Sequence, residues 1–234
     1  MSFIIRLYIQ FLFEIGGVFS TVFLFSGVLS VFWATIAALN QIDVKRLYSY
    51  SAIVNIGYLL IALNYSVFTG FVDIFNYIVT YFISVFGLFA FVLLIRRSPL
   101  ASKIKLLADF TFYFSYNPML ALLVSLIFFS LGGVPPLSGF FAKFFLFRFL
   151  FAVDFLSNSV FFPVLLFSTV SAFYYIRCIQ FIFFNPNQIQ TLNKSLDYLH
   201  IFLFVNCGFF LIFFFLFQST VYLSFTFFFS KIFL

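Results

Sequence analysis

Charge is what this sequence has least of. Only 8% of its 234 residues are Asp, Glu, Lys or Arg, and only six of those are acidic. A soluble domain needs roughly a quarter of its residues charged to keep its surface hydrated, so a soluble fold is excluded. Disorder is excluded as well, because it requires low hydrophobicity and high charge. Histidine occurs once, at His200, and cysteine twice, at Cys178 and Cys207, without CxxC spacing. That inventory cannot supply the four ligands of a structural zinc or an iron–sulfur cluster, and it gives no basis for disulfide redox work. No nucleophile–base pair, phosphate-cradling loop or haem-ligand pair is present in the pattern. The start, Met1-Ser2-Phe3-Ile4-Ile5-Arg6, lacks the Arg- and Ser-rich amphipathic stretch of a transit peptide. The expectation is a chain made inside the compartment that uses it, or one inserted through its own first helix.

What the sequence does have is apolar bulk: 65% hydrophobic residues and a mean hydropathy of +1.21. The class that remains is an all-α polytopic membrane protein. Forty-seven Phe against ten Gly exceeds what lipid-facing positions ask for and suggests mutational bias toward T-rich codons, as in organellar genomes. A spanning helix needs about 20 mainly apolar residues. Such stretches fall at 1–14 (short), 17–39, 47–66, 72–95, 117–152, 160–183 and 199–217, which makes six to seven transmembrane helices. Residues 218–234 are expected to form an interfacial tail. There is no internal repeat, and no linker is rich enough in Gly or Ser to divide domains.

The 117–152 stretch is too long for one straight span. At its centre lies Ser130-Leu131-Gly132-Gly133-Val134-Pro135-Pro136. Gly132, Gly133, Pro135 and Pro136 cannot continue a helix, because proline lacks an N–H and pushes the residue before it out of the α region. The expected structure is one discontinuous helix: two half-helices joined by an unwound link. Unwound backbone at membrane depth is tolerated only where protein buries it or it lines a watery cavity, so the link points to a functional site.

The loops give orientation. Links at 40–46, 96–115 and 184–198 carry Lys45, Arg46, Arg96, Arg97, Lys103, Lys105 and Lys194. Links at 15–16, 67–71 and 153–159 carry no Lys or Arg, and Lys231 sits in the tail. Seven against one is a positive-inside asymmetry. The net charge of +6 is therefore mostly an orientation signal, and nucleic acid is excluded as a partner.

Within the spans the ionisable residues are Arg6, Glu14, Asp73, Lys143, Arg148 and Arg177, most of them near helix ends where they can snorkel to the headgroups. Lys143 differs. It follows the break by one to two turns, in Gly139-Phe140-Phe141-Ala142-Lys143, with no acid nearby in sequence. A charge near the bilayer centre costs about 2.5–3.5 kcal/mol on insertion scales, so this residue must face a cavity, hold a partner or shed its proton. The bland alternative is a snorkelling lysine that only anchors the second half-helix; the adjacent break favours function. A second cluster runs from Asn40 to Tyr58. Ser49, Asn55 and Tyr58 on that helix either pack against neighbours through hydrogen bonds or line a hydratable proton path, and the residues alone leave both readings open. His200 reads as interfacial, Asp109 and Asp154 as solvated loop residues, and Tyr174-Tyr175 as part of an aromatic belt.

Two motifs in order carry a family resemblance. The first is Ala37-Ala38-Leu39-Asn40-Gln41-Ile42-Asp43-Val44-Lys45-Arg46-Leu47-Tyr48-Ser49-Tyr50-Ser51 with Gly57-Tyr58. It resembles the signature of the antiporter-like proton-translocating subunits of respiratory complex I. The second, Ser130 to Lys143, resembles the broken helix of the NADH–ubiquinone oxidoreductase chain 2 family; chain 4 relatives usually carry glutamate at the Lys143 position. The likeness covers about residues 17–183.

The resemblance implies a fold of two inverted five-helix repeats, each with a broken helix. This chain is expected to hold the second repeat, 17–183, preceded by a partial helix at 1–16. Residues 184–234 would then hold a loop, the final transmembrane helix and the tail. By position, Lys143 is implied to take up a proton and pass it outward, and Lys45 lies in the family's Lys-Arg pair at the matrix end, where protons are taken up. Many relatives have histidine where this chain has Asn55, which cannot titrate, so a relay there needs water or a neighbouring side chain. The resemblance also implies location in the mitochondrial inner membrane, multi-pass and encoded by the mitochondrial genome. It implies as well that the chain binds no cofactor of its own and that FMN, iron–sulfur clusters and ubiquinone lie elsewhere in the complex. Expected partners are a chain carrying the missing N-terminal half, neighbouring antiporter-like and small membrane-arm subunits, and lipids. Two rivals stand beside this: a scaffold that no longer conducts protons, and a stand-alone cation/proton antiporter.

Overall fold

A computed structural model describes residues 16–64, 68–97, 107, 118–135, 137–152, 155–184 and 198–233. Those residues form eight helices: α1 Gly16–Leu39, α2 Val44–Asn64, α3 Phe68–Arg97, α4 Pro118–Gly132, α5 Ser138–Ala152, α6 Phe155–Phe183, α7 Tyr198–Leu216 and α8 Gln218–Phe233. There is no strand among the described residues, as expected where lipid cannot satisfy an open sheet edge. Segments Thr21–Leu39, Val44–Leu63, Gly70–Val92 and Val160–Phe183 are each long and apolar enough to cross a membrane. At 15 residues, α4 is too short to do so alone. The expected helix at 1–14 lies outside the described residues.

Three helices differ in their bounds from the sequence reading, among them α3, which runs Phe68–Arg97 in place of 72–95 and carries Arg96 and Arg97 on its last turn. Helix α2 begins at Val44, so Lys45 and Arg46 ride on its first turn instead of in a loop. Helix α6 begins at Phe155 and runs through Pro163, a proline that a spanning helix tolerates because packed neighbours re-satisfy the freed carbonyl. Past α7 the axis turns by 88° between 204–214 and 219–227, so the tail α8 runs across the direction of the bundle.

We call the end bearing the basic links the inner end and the opposite one the outer end. Helices α1 and α2 meet through Gly27 and Gly57: a Cβ on Gly57 would stand 2.5 Å from Ser30 Oγ and 3.0 Å from the Gly27 carbonyl. Small residues let helix backbones approach this closely in lipid. The turn between them is fixed by Gln41 N–H donating to Ala38 O (3.2 Å). Arg177 of α6 donates to Leu39 O at 3.0 Å and caps the carbonyl end of α1, where a cation is favoured.

The apolar interior is in two parts. One, around Leu47, Phe91, Phe128, Tyr175 and Phe204, joins the inner ends of α1, α2, α3 and α6 to α4 and α7. The other, around Val31, Tyr58, Ile74, Leu146 and Val164, joins the outer halves of α1, α2, α3 and α6 to α5. The broken helix thus contributes one half-helix to each core. The outward faces stay apolar, with Phe25, Trp33, Phe82 and Phe173 each more than 60% exposed, as lipid contact requires. Gly57→Val is expected to overpack the α1–α2 contact by about 1–3 kcal/mol, read as a lower thermal unfolding midpoint in detergent.

Candidate functional site

Breaking a helix in apolar surroundings leaves its last four carbonyls without partners. At the end of α4 these belong to Phe129, Ser130, Leu131 and Gly132. Gly133 takes φ +80°, a conformation suited to glycine. Its N–H donates to Ser130 O at 3.1 Å and to Phe129 O at 3.0 Å, while Val134 N–H also reaches Phe129 O at 3.0 Å. This is a Schellman cap, and it satisfies two of the four carbonyls. The other two are taken by Lys143, whose Nζ donates to Leu131 O at 2.8 Å and Gly132 O at 3.2 Å.

Lys143 reaches them because it sits in the second turn of α5 and helical side chains lean toward the helix N-terminus. It is buried, with 8% exposure. Among the described residues no carboxylate pairs with it; its counter-charge is the negative end of the α4 dipole, about half an elementary charge. The fit around it is close. A Cβ on Gly133 would stand 3.1 Å from Lys143 Cδ, and one on Gly139 would overlap the Ser130 carbonyl. Ser130 and Ser138, both fully buried, face each other across the break at 3.4 Å.

A cavity approaches this point from each end. The inner one, ≈ 470 Å³, runs between α2 and α3 from Lys45 past Tyr48, Ser51 and Tyr81 to Leu131. The outer one, ≈ 640 Å³, is a cleft between α5 and α6 running from Gly132 and Lys143 to Arg148. Leu131 and Gly132, the two acceptors of Lys143, thus lie one on each cavity. The buried Tyr48 hydroxyl has no partner among the described residues, and an orphaned polar group on a cavity wall is where an ordered water binds.

Between the two cores lies a polar layer. Asn55 donates to Ser51 O at 2.9 Å and accepts from the Tyr77 hydroxyl at 2.7 Å; Tyr77 stacks on Tyr81 at 6.4 Å. The face of α2 turned to this layer carries Ser51, Asn55 and Tyr58. Ser49 is on the exposed flank of the inner cavity, its hydroxyl donating to Arg46 O at 2.7 Å. Tyr58 packs edge-on to Phe147 of α5 at 5.9 Å. Lys45 is exposed at the mouth of the inner cavity. Pro135 lies exposed in the link, and Pro136 is outside the described residues.

Two readings need correction. Tyr174 and Tyr175 do not form an aromatic belt: they are 1% and 2% exposed, in the inner core, because the α6 face they occupy is turned toward α4. Asp73 does not snorkel; its buried carboxylate faces Arg148 Nη2 at 4.0 Å. The sequence reading also missed Ser51, Tyr77 and Tyr81. A usable signal existed, since Asp73, Tyr77 and Tyr81 recur every four residues and so mark one polar face of α3. The side chains of His200, Asp109 and Asp154 lie outside the described set.

Residues 1–173 match the family described as NADH:quinone oxidoreductase/Mrp antiporter, TM. The chain is 33% identical over 208 residues to NADH-ubiquinone oxidoreductase chain 2 of Marchantia polymorpha, covering 86% of this chain and 40% of that one. It is 34% identical over 167 residues to NADH-quinone oxidoreductase subunit N 1 of Chloroherpeton thalassium, covering 71% of this chain and 34% of the relative. A chain of respiratory complex I from Thermus thermophilus, solved with bound aureothin, superposes with TM-score 0.70 and 27% identity over 86% of this chain and 44% of its own length. The chain therefore spans about two fifths of the length of the curated relatives it matches.

The break itself gives a stability test. Gly133→Ala forces a left-handed residue with a side chain, at about 1–2 kcal/mol, and presses on Lys143. Gly132→Ala places its Cβ 3.8 Å from Tyr175, an ordinary contact. Thermal unfolding in detergent is expected to show a clear loss for the first substitution and little for the second.

Proposed function

Because the chain belongs to the NADH:quinone oxidoreductase/Mrp antiporter transmembrane family, we propose that it is the C-terminal half of chain 2 in mitochondrial respiratory complex I. In this reading residues 17–183 are one five-helix antiporter-like repeat of a module that holds two. The assembled module lies in the inner membrane among other antiporter-like and small membrane-arm subunits. It moves protons, driven by electron transfer from NADH to ubiquinone. FMN, iron–sulfur clusters and ubiquinone sit elsewhere in the complex, so this chain performs no redox step.

One observation carries the reading. A single buried lysine hangs on the carbonyl end of a broken helix, between a cavity from the inner end and a cleft toward the outer end. In mechanism, a proton comes in past Lys45 and through water ordered by Tyr48 and Ser51 to Lys143. The ammonium form is held by the Leu131 and Gly132 carbonyls. The neutral amine donates more weakly to them, and a small shift of α5 against α4 turns the nitrogen toward the outer cleft, where the proton leaves.

Asn55 favours a second reading, since an amide fixed between Ser51 and Tyr77 does not titrate: a scaffold that keeps the fold without conducting. A stand-alone antiporter is a third reading and predicts a protein that purifies without redox partners. Lys143→Met decides between the first two. In an assembled complex with normal NADH:quinone electron transfer, pumping predicts fewer protons moved per electron pair, by the whole share of this module. An unchanged ratio in that variant establishes the scaffold.

A further inference from the structure

The outer cleft has a shape and a lining that the Lys143 chemistry does not account for. It holds ≈ 640 Å³ between α5 and α6 and stands open along one flank, where Phe144 and Phe173 on its two walls are 50% and 65% exposed. The walls are mainly Phe140, Phe144 and Phe147 on α5 and Phe161, Leu165 and Phe173 on α6. Ser168 and Thr169 also line it, but their hydroxyls donate to Leu165 O and Leu166 O of their own helix, each at 2.7 Å. Between Lys143 at one end and Arg148 at the other, the cleft thus offers a guest mostly apolar surface.

The two ends of the cleft fall at two depths. The break lies between the inner and outer cores, near the middle of the spans. Arg148 comes ten residues after Ser138, the first residue of α5, and so about 15 Å further along the axis. A bilayer's hydrocarbon core is about 30 Å thick, which puts Arg148 one leaflet away from the break, at the boundary with the lipid phosphates. Its side chain is 53% exposed, and its guanidinium rests over the Phe145 ring at 5.1 Å. Asp73 balances that charge only in part, since it is 2% exposed and stands 4.0 Å away, too far for a hydrogen bond. A guanidinium presents a fork of N–H donors that matches a phosphate.

We propose that this cleft is the seat of a phospholipid from the outer leaflet. One acyl chain lies between α5 and α6 with its methyl end at the Gly132–Gly133 link, and the phosphate sits on Arg148. The chain leaves lipid surroundings to enter the cleft, so it gains no apolar burial from water. What selects it is packing between two fixed walls and the charge-assisted contact at the phosphate. Length, lining and charge agree: an apolar slot one leaflet long ends on a half-exposed cation at phosphate depth. The seat stands whether or not Lys143 carries protons. Where it does, the acyl chain and the outgoing proton use the same cleft in turn.

The test places the assembled complex in vesicles with a trace of phosphatidylglycerol that carries a photoreactive diazirine at the methyl end of one chain. After illumination, mass spectrometry of the digested chain locates the adducts. They are expected to concentrate on Phe140 and Phe173, at the link end of the cleft, above the yield on Leu29 and Phe82, which are exposed near the middle of other spans. Moving the diazirine to mid-chain is expected to move the adducts to Phe144 and Leu165. Arg148→Gln is expected to lower the cleft adducts about tenfold, the effect of losing one charge-assisted contact, and Arg148→Lys to lower them less. Thr169→Trp fills the exposed wall without touching Arg148 and also lowers them, so the test stands even where the Arg148 variant fails to assemble. Cleft labelling no stronger than at Leu29 and Phe82 overturns the seat, whether bulk lipid or a neighbouring helix then fills the cleft. Labelling unchanged by Arg148→Gln in an assembled complex, or by Thr169→Trp, overturns it as well. Failure of the pumping reading is seen separately, as an unchanged proton-to-electron ratio in Lys143→Met.

Discussion

The structure turns on one contact: the Lys143 ammonium against the exposed carbonyls of α4. A helix that stops inside a membrane leaves four acceptors that neither water nor lipid can serve. Here the Schellman turn at Gly133 serves two and Lys143 the remaining two. Each partner answers the other's cost. The lysine makes the break tolerable, and the break, with its dipole end, makes a buried cation tolerable. The glycines follow from this, since Gly133 must turn left-handed beside the lysine stem and Gly139 must let α5 pass against the Ser130 carbonyl.

That contact also explains why the interior is divided. With α4 committed to the inner core and α5 to the outer one, the level between them collects the polar groups that the apolar cores reject. Ser51, Asn55, Tyr77, Ser130, Ser138 and Ser171 are all buried, and most of those hydroxyls and amides bond to a carbonyl of their own helix or to a neighbour. Local back-bonding of this kind costs helix stability but keeps hydroxyls satisfied without water. The layer is therefore polar enough to hold water where a cavity reaches it.

The broken helix and the spans were legible in the sequence for physical reasons. Spanning helices need long apolar windows, and Gly132-Gly133 followed by two prolines cannot be helix. The two motifs placed the family that residues 1–173 match. What could not be read were contacts between distant segments. The partner of Asn55 lies 22 residues away, that of Asp73 on another helix, and Arg177 reaches across 138 residues to cap α1. Charged residues near helix ends look alike in sequence whether they snorkel or pair; which they do depends on the neighbour that packs there. Tyr174 and Tyr175 went astray for the same reason, because depth in the membrane and burial in protein leave the same compositional trace.

The lysine centre is also local in sequence. Both carbonyls that accept from Lys143 come from one short stretch of chain, Leu131 to Lys143, and the serine pair across the break comes from the same stretch. The hydrogen bonds of this centre close within a single helix–link–helix unit. The inner cavity is likewise walled by α2, α3 and Leu131 of this chain, and the outer cleft by α5 and α6 with the link. The lysine is thus positioned by this chain's own residues, with its two acceptors lying one on each cavity.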